Sequence, residues 1–306
     1  MATGDLQQAI NTFRRLAGAN PQSALPHLRL SDAYSAMRNR AAAETSLKKA
    51  LSLQPELPEA QRRLVNSALA DNRPKDALVV AREIQKQRPR DEAGYLMEGD
   101  IHLRMKNTDA AIAAFNAGVL RTKSTPIAIQ LHATLINSGK VAAANHFAST
   151  WEKEGNSDTR FDAHLASLAI LRRNDAEAVK RLTRVVAAQP GNPVATNNLA
   201  MLLLDTGAAG ALEYAEKANS LLPNQPAFMD TWARALAVAN QLPKALEMQK
   251  SAVSRAPEEL SLRLTLAKIA LKAGDKELAR SELEKLKKQG ARFAGQAEVS
   301  ALLKSI

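Results

Sequence analysis

Five histidines, His27, His102, His132, His146 and His164, are the side chains best suited to proton transfer or metal binding. None stands in an H-E-x-x-H run, the spacing that puts two imidazoles and a base on one helical face around zinc. His102 and His132 fall where core residues are due, and all five read as packing or surface groups. The carboxylate pair Glu258–Glu259 lies at a helix start, where negative charge suits the macrodipole. There is no G-x-S-x-G elbow, no phosphate-cradling loop and no dinucleotide fingerprint; the 13 glycines read as isolated turn residues. The absence of cysteine excludes thiol catalysis, disulfides and thiolate metal sites. No enzyme activity, cofactor or metal is expected.

What remains is surface. The chain has 306 residues, 45% of them apolar but only 4% aromatic, so a large core must be packed through Ala, Leu and Val. Net charge is +11 and the sequence pI about 9.9, a balance that permits attraction to acidic partners. The basic residues are dispersed, the longest runs being pairs such as Arg14–Arg15, Arg62–Arg63 and Lys287–Lys288, interleaved with acids. They read as a solvated outer face, and no nucleic acid partner is expected. No run of 18 apolar residues occurs, so no spanning helix is expected. The start, "MATGDLQQAI", lacks the basic and apolar regions of a signal peptide and leads at once into a helical pattern. That start suggests a longer chain upstream, with an export signal or lipid anchor outside this sequence.

The elements that would carry such a surface are written in a repeat. Alanines recur at 9, 43, 77, 111, 144, 178, 211, 245 and 279, at intervals of 33 or 34 residues. Six of them, Ala9, Ala43, Ala77, Ala178, Ala211 and Ala245, are followed by proline twelve residues later. Thirteen residues upstream of the alanine, twelve in one copy, stand Leu30, Leu64, Glu98, Leu131, Leu165, Leu199, Trp232 and Leu266. The next position is mostly small: Ser31, Val65, Gly99, His132, Ala166, Ala200, Ala233 and Ala267. Between the two marks come Asn72, Gly139, Asn240 and Gly274, with Asn39 one step off, residues that tolerate a left-handed backbone. Together they spell helix A, a tight turn, and helix B closed by proline. The alanine falls where helix B crosses helix A, so a larger side chain there would push the helices apart.

This spacing resembles the tetratricopeptide repeat, for example in "NNLAMLLLDTGAAGALEYAEKANSLLP" with Leu199, Ala200, Leu203, Gly207, Ala211, Ala218 and Pro223. The expected fold is all-α: a right-handed α-solenoid, or superhelix, of about eight helix-turn-helix repeats with a C-terminal capping helix. A lone helix B at 5–20 precedes repeats at 24–57, 58–91, 92–124, 125–158, 159–192, 193–225, 226–259 and 260–293 of a single array covering 1–306. The tail 294–306 reads as the cap, using Val299, Leu302, Leu303 and Ile306. Irregular packing is expected over 92–158. There Lys123 and Asn156 replace the proline, Glu98 takes an apolar position and Trp151 stands where alanine is usual.

In such an array the inner face is lined mainly by helix A, at the second, fifth, ninth and twelfth positions of each repeat. The candidate partner-binding residues are Arg62, Asn66, Leu69, Leu96, Asp100, Leu103, Ile129, Ile136, Asn197, Met201, Leu204, Asp230, Arg234 and Lys268. Their mixture of apolar anchors and polar groups suits an extended peptide or a partner helix. Arg62 and Asn66 begin the carboxylate-clamp pattern of chaperone-binding repeats, but Met97 interrupts it. The asparagine ladder of glycosyltransferase repeats is not met either, the series reading Arg29, Arg63, Met97, Gln130, His164, Asn198, Thr231 and Thr265.

The last 110 or so residues, with "LRLTLAKIALKAGDKELARSELEKL" and a final "ALLKSI", are similar to tetratricopeptide lipoproteins of the bacterial PEP-CTERM/exosortase system. Met229-Asp230-Thr231-Trp232-Ala233 departs from that family's Leu-Asp-Thr-Leu-Gly. The resemblance implies a non-enzymatic scaffold in the periplasm or anchored at the outer membrane, linked to protein sorting and exopolysaccharide production. A periplasmic segment of a polysaccharide synthesis or secretion machine is one alternative. A cytoplasmic basic adaptor for nucleic acid is another, marked by steep salt dependence.

Overall fold

A computed structural model describes residues 3–156 and 158–306. Met1 and Ala2, part of the leader reading, and Ser157, inside the fourth repeat, lie outside the described residues. The described residues form eighteen α-helices and a 3-10 turn at Gly290–Arg292, with no strand among them. The single array expected over 1–306 divides into two compact units, Met1–Ser157 and Asp158–Ile306. Each hairpin of a repeat array packs on its neighbours, so no single core need run the length of the chain. The division falls at the end of the degenerate stretch and leaves every hairpin whole.

The first unit holds α1 (Thr3–Ala19) and four hairpins: α2 (Ala24–Ala36) with α3 (Arg40–Leu53), α4 (Pro58–Ala70) with α5 (Pro74–Gln87), α6 (Ala93–Arg104) with α7 (Thr108–Thr122), and α8 (Thr125–Asn137) with α9 (Val141–Lys153). The second holds α10 (Thr159–Leu171) with α11 (Asp175–Ala188), α12 (Pro193–Thr206) with α13 (Ala211–Leu221), α14 (Pro226–Val238) with α15 (Leu242–Arg255), and α16 (Leu260–Lys272) with α17 (Lys276–Lys287). It ends with α18 (Gln296–Lys304). There Val299 is fully buried, and Leu302, Leu303 and Ile306 join it against Ala267, Leu283 and Leu286.

Every hairpin turns the same way. The residue at the turn is left-handed in Arg38 (φ 58°), Asn72 (56°), Lys106 (60°), Gly139 (77°), Arg173 (57°), Gly207 (69°), Asn240 (59°) and Gly274 (81°). The following N–H reaches back to close helix A, as from Asn39 to the Tyr34 carbonyl at 2.8 Å and from Asp275 to the Ala270 carbonyl at 2.9 Å. The expected turn-maker Asn39 does a different job: its side chain accepts from the Ala42 N–H at 3.1 Å and caps α3. Where a proline follows, helix B ends two residues before it, with an extended residue such as Gln54 (φ −135°) or Leu222 (φ −139°) between, as the proline ring demands, whereas α7 ends on left-handed Lys123 (φ 52°).

The register alanines sit where the helices cross. Ala77, Ala111, Ala144, Ala178, Ala245 and Ala279 have no exposed surface at all. The small residues of helix A are buried in every hairpin, from Ser31 at 1% to Ala267 at 0% exposure. The degenerate stretch keeps its helices and changes its side chains. Gly94, Gly99 and Gly118 lie in helices there, not in turns. Gly99 lies under the Phe115 ring, so close that a Cβ would stand 2.1 Å from Cε1. Glu98, at an apolar position, avoids isolation by accepting from Arg82 Nε at 2.8 Å and Gln85 Nε2 at 2.7 Å. Trp151 is 2% exposed, packed by Phe147 with ring centroids 6.0 Å apart.

Overpacking either crossing should destabilise the fold by roughly 1–3 kcal/mol. Ala178→Leu and Gly99→Ala are expected to lower the melting temperature followed by circular dichroism. An unchanged melt for both would mean that these contacts do not limit helix approach.

Candidate functional site

Two clefts open between consecutive A helices, one in each unit. The larger, about 860 Å³, lies between α2 and α4 with α3 at its side. Asp32, Ser35, Asn66 and Ser67 line it, with Arg38 from the turn, Arg40 at the start of α3 and Arg63 from α4. Arg63 pairs with Asp32, which also meets Arg29 Nη1 at 3.4 Å. Arg63 reaches Glu59 as well, at 2.5 Å, and Arg40 pairs with Asp71 at 2.9 Å.

The second cleft, about 490 Å³, lies between α14 and α16. Its floor includes Ala237 and Ile269, and Val238 stands 71% exposed at its edge. Its polar groups are Asp230, Arg234, Thr265, Lys268 and Lys272. Gln249, fully buried behind the cleft on α15, donates to Asp230 Oδ1 at 2.7 Å and to the Leu262 carbonyl at 2.9 Å. Burial raises the Asp230 carboxyl above its ordinary range, against the opposing pull of Gln249, Thr265, Arg234 and Lys268. Arg234 pairs with Asp205 at 2.7 Å, Lys268 with Glu298 of α18 at 2.6 Å, and Lys272 donates to the Ala237 carbonyl at 2.5 Å.

Of the residues expected from helix A spacing, Asp230, Arg234 and Lys268 come together in the second cleft and Asn66 lines the first. Arg62, Asp100 and Leu103 are exposed; Leu96, Ile129, Ile136 and Met201 are half-buried. Leu69 and Leu204 are packed against core clusters. Asn197 is a correction: it is 6% exposed, turned into the hairpin, with its Oδ1 unpartnered. Leu28, also at a fifth position, is buried too, at 3% exposure. Position-counting missed Arg38, Arg40, Arg63, Ser67 and Lys272. Arg63 and Ser67 stand one residue beyond Arg62 and Asn66, so a face shifted by one would have found them. Arg38 lies in the turn, outside any helical pattern.

The histidines are scattered. His102 and His132 are buried, His146 is exposed, and His164 lies beside Phe161 with ring centroids 6.0 Å apart. Glu98 lies 3.8 Å from His102 Nε2. Among the described residues no three His, Asp or Glu side chains are grouped as metal ligands, and no helix is long and apolar enough to cross a membrane.

The raised Asp230 carboxyl has a stability consequence. Above its folded pKa the buried charge weakens the fold; as pH falls through that value toward the ordinary carboxylate range, the penalty disappears. Asp230→Asn is expected to raise the melting temperature at neutral pH, with the gain shrinking on acidification toward about pH 4. A gain that is the same at both pH values, or a loss at neutral pH, would contradict it.

Tetratricopeptide-repeat family models match residues 1–67 and 62–126. Among solved structures, the C-terminal part of a tetratricopeptide-repeat protein from Cytophaga hutchinsonii is 13% identical, with a TM-score of 0.55, over 78% of this chain and 98% of that one. Yeast Tom70 is 14% identical with a TM-score of 0.52, over 92% of this chain and 62% of that one. A chain of the APC/C hetero-tetramer Cut9–Hcn1 is 14% identical with a TM-score of 0.49, over 96% of this chain and 58% of that one. The chain thus spans less than two thirds of the last two, and at these identities the likeness to solved structures is one of fold. No curated protein matches the chain in sequence. Tetratricopeptide repeats are matched through residue 126, and hairpins of the same period and turn continue beyond it, so the chain has the all-α fold of tetratricopeptide-repeat solenoids.

Proposed function

We propose that the chain is a non-enzymatic scaffold or adaptor that holds an extended peptide, or one helix of a partner protein, along its A helices. The supporting observation is the pair of open clefts between consecutive A helices, each with polar side chains set around small apolar ones. Such a lining offers anchoring pockets and groups to fix register, the two requirements of groove recognition. We further propose a bacterial envelope location, in the periplasm or anchored at the outer membrane, in connection with PEP-CTERM protein sorting and exopolysaccharide production. The support for that location is the likeness of the last 110 or so residues to lipoproteins of that system.

A random-peptide display selection against the immobilised chain tests the first reading. Enriched peptides should lose binding to the double variant Asn66→Glu/Arg234→Glu, one substitution in each cleft. They should keep it for Val79→Glu/Leu120→Glu, exposed helix B positions at 69% and 67%. No enrichment, or the reverse pattern of loss, would overturn it. Fractionation of cells expressing the tagged chromosomal gene tests the location; recovery in the cytosolic fraction alone would refute it.

A further inference from the structure

We propose that the cleft between α2 and α4 is a receptor for acidic side chains, so that the partner segment carries glutamate or aspartate where it crosses the first two hairpins. This rests on the partner-binding reading and adds the partner's chemistry to it. The lining holds three arginines, Arg38, Arg40 and Arg63, against the single carboxylate of Asp32. Arg63 and Arg40 are engaged by Asp32, Glu59 and Asp71. Arg38 is not: among the described residues its guanidinium has no ion pair or hydrogen bond, nor have the side chains of Ser35, Asn66 and Ser67. The cleft therefore gathers one free guanidinium fork, two free hydroxyls and one free amide around open space.

A carboxylate is acceptor-only and matches that inventory, taking two parallel bonds from the fork and further ones from the hydroxyls. The uncommitted Arg38 guanidinium repels a cationic side chain. A phosphate dianion would bring more negative charge than one uncommitted arginine can balance with Asp32 alongside. No aromatic side chain lines the cleft for a base to stack on, which sets it apart from a single-strand nucleic acid groove. The cleft between α14 and α16 differs, since Arg234, Lys268 and Lys272 all have partners already. The left-handed backbone of Arg38 sets the cation in the turn, where no core contact constrains it.

Fluorescence anisotropy of the full chain with labelled hexaglutamate, hexaglutamine and a hexathymidine oligonucleotide, at about 150 mM salt, tests this. Hexaglutamate should bind and hexaglutamine should not. Arg38→Asn keeps a residue suited to the left-handed turn and should weaken hexaglutamate binding about tenfold, the loss of one charge-assisted contact. Arg173→Asn removes the same charge from the same kind of turn in the second unit and should leave binding within about twofold. Ser67→Asp, which places a like charge in the lining, should weaken binding as Arg38→Asn does and serves where that variant melts early. Equal losses for Arg38→Asn and Arg173→Asn, or no hexaglutamate binding, would overturn the proposal. So would hexathymidine binding that is equally strong and equally sensitive to Arg38→Asn. Displayed peptides that need the A helices but lack acidic residues and ignore Arg38→Asn would remove this inference while leaving the scaffold reading intact.

Discussion

Where helix B crosses helix A, the only side chain between the two backbones is a methyl group. Ala77, Ala111, Ala144, Ala178, Ala245 and Ala279 are wholly enclosed, and the matching residues of helix A, small in most hairpins, are buried too. Close approach there sets the distance between the rods, and a shared left-handed turn sets their direction. With both fixed, A helices within a unit are delivered side by side, and the gaps between α2 and α4 and between α14 and α16 become clefts. The clefts are thus a product of the crossing: Ser31, Ala43 and Leu47 serve both the packing and the first cleft, and the exposed polar residues around them are the ones free to vary.

The fold was legible because it is written many times. One alanine twelve residues before a proline says little; six such pairs at a common period leave little else to build. The site was legible only in part, because each cleft is made once. Counting positions found Asp230, Arg234 and Lys268, which share one side of two helices a hairpin apart. It placed Asn197 on the groove face, where the structure buries it at 6% exposure. It passed over Arg38 because a turn residue follows no helical period, and because the left-handed site was assigned to Asn39, a residue type that favours such a backbone but here caps the next helix. The sequence signals for a division at residue 157 were the irregular marks over 92–158, read as altered packing within one array.

The charges beside the clefts are held lightly. Asp205 and Glu298, which hold Arg234 and Lys268, are each about half exposed, at 49% and 48%. Ion pairs in such settings contribute only about 0–1 kcal/mol, so they fix no geometry that a competing group could not replace. The buried Gln249–Asp230 bond differs, since its donor is enclosed and also tied to the Leu262 carbonyl. The α14–α16 cleft thus has one anchored polar atom surrounded by loosely held ones.

The glycine beneath the Phe115 ring has a bearing on how such a chain is inherited. Gly99 and Phe115 fit only each other, and Gly118 similarly accepts Tyr95, whose Cβ would lie 2.7 Å from an added Cβ. Both matched pairs lie within the one hairpin of α6 and α7. A genetic crossover through the short link between those two helices would separate ring from hollow and yield either a clash or a void. Crossovers in the links on either side would do the same, because an added Cβ at Gly94 would stand 2.9 Å from the Ala81 carbonyl oxygen of α5 and one at Gly118 2.8 Å from Ile127 Cδ1 of α8, so α5 to α8 keep their fit only when inherited together.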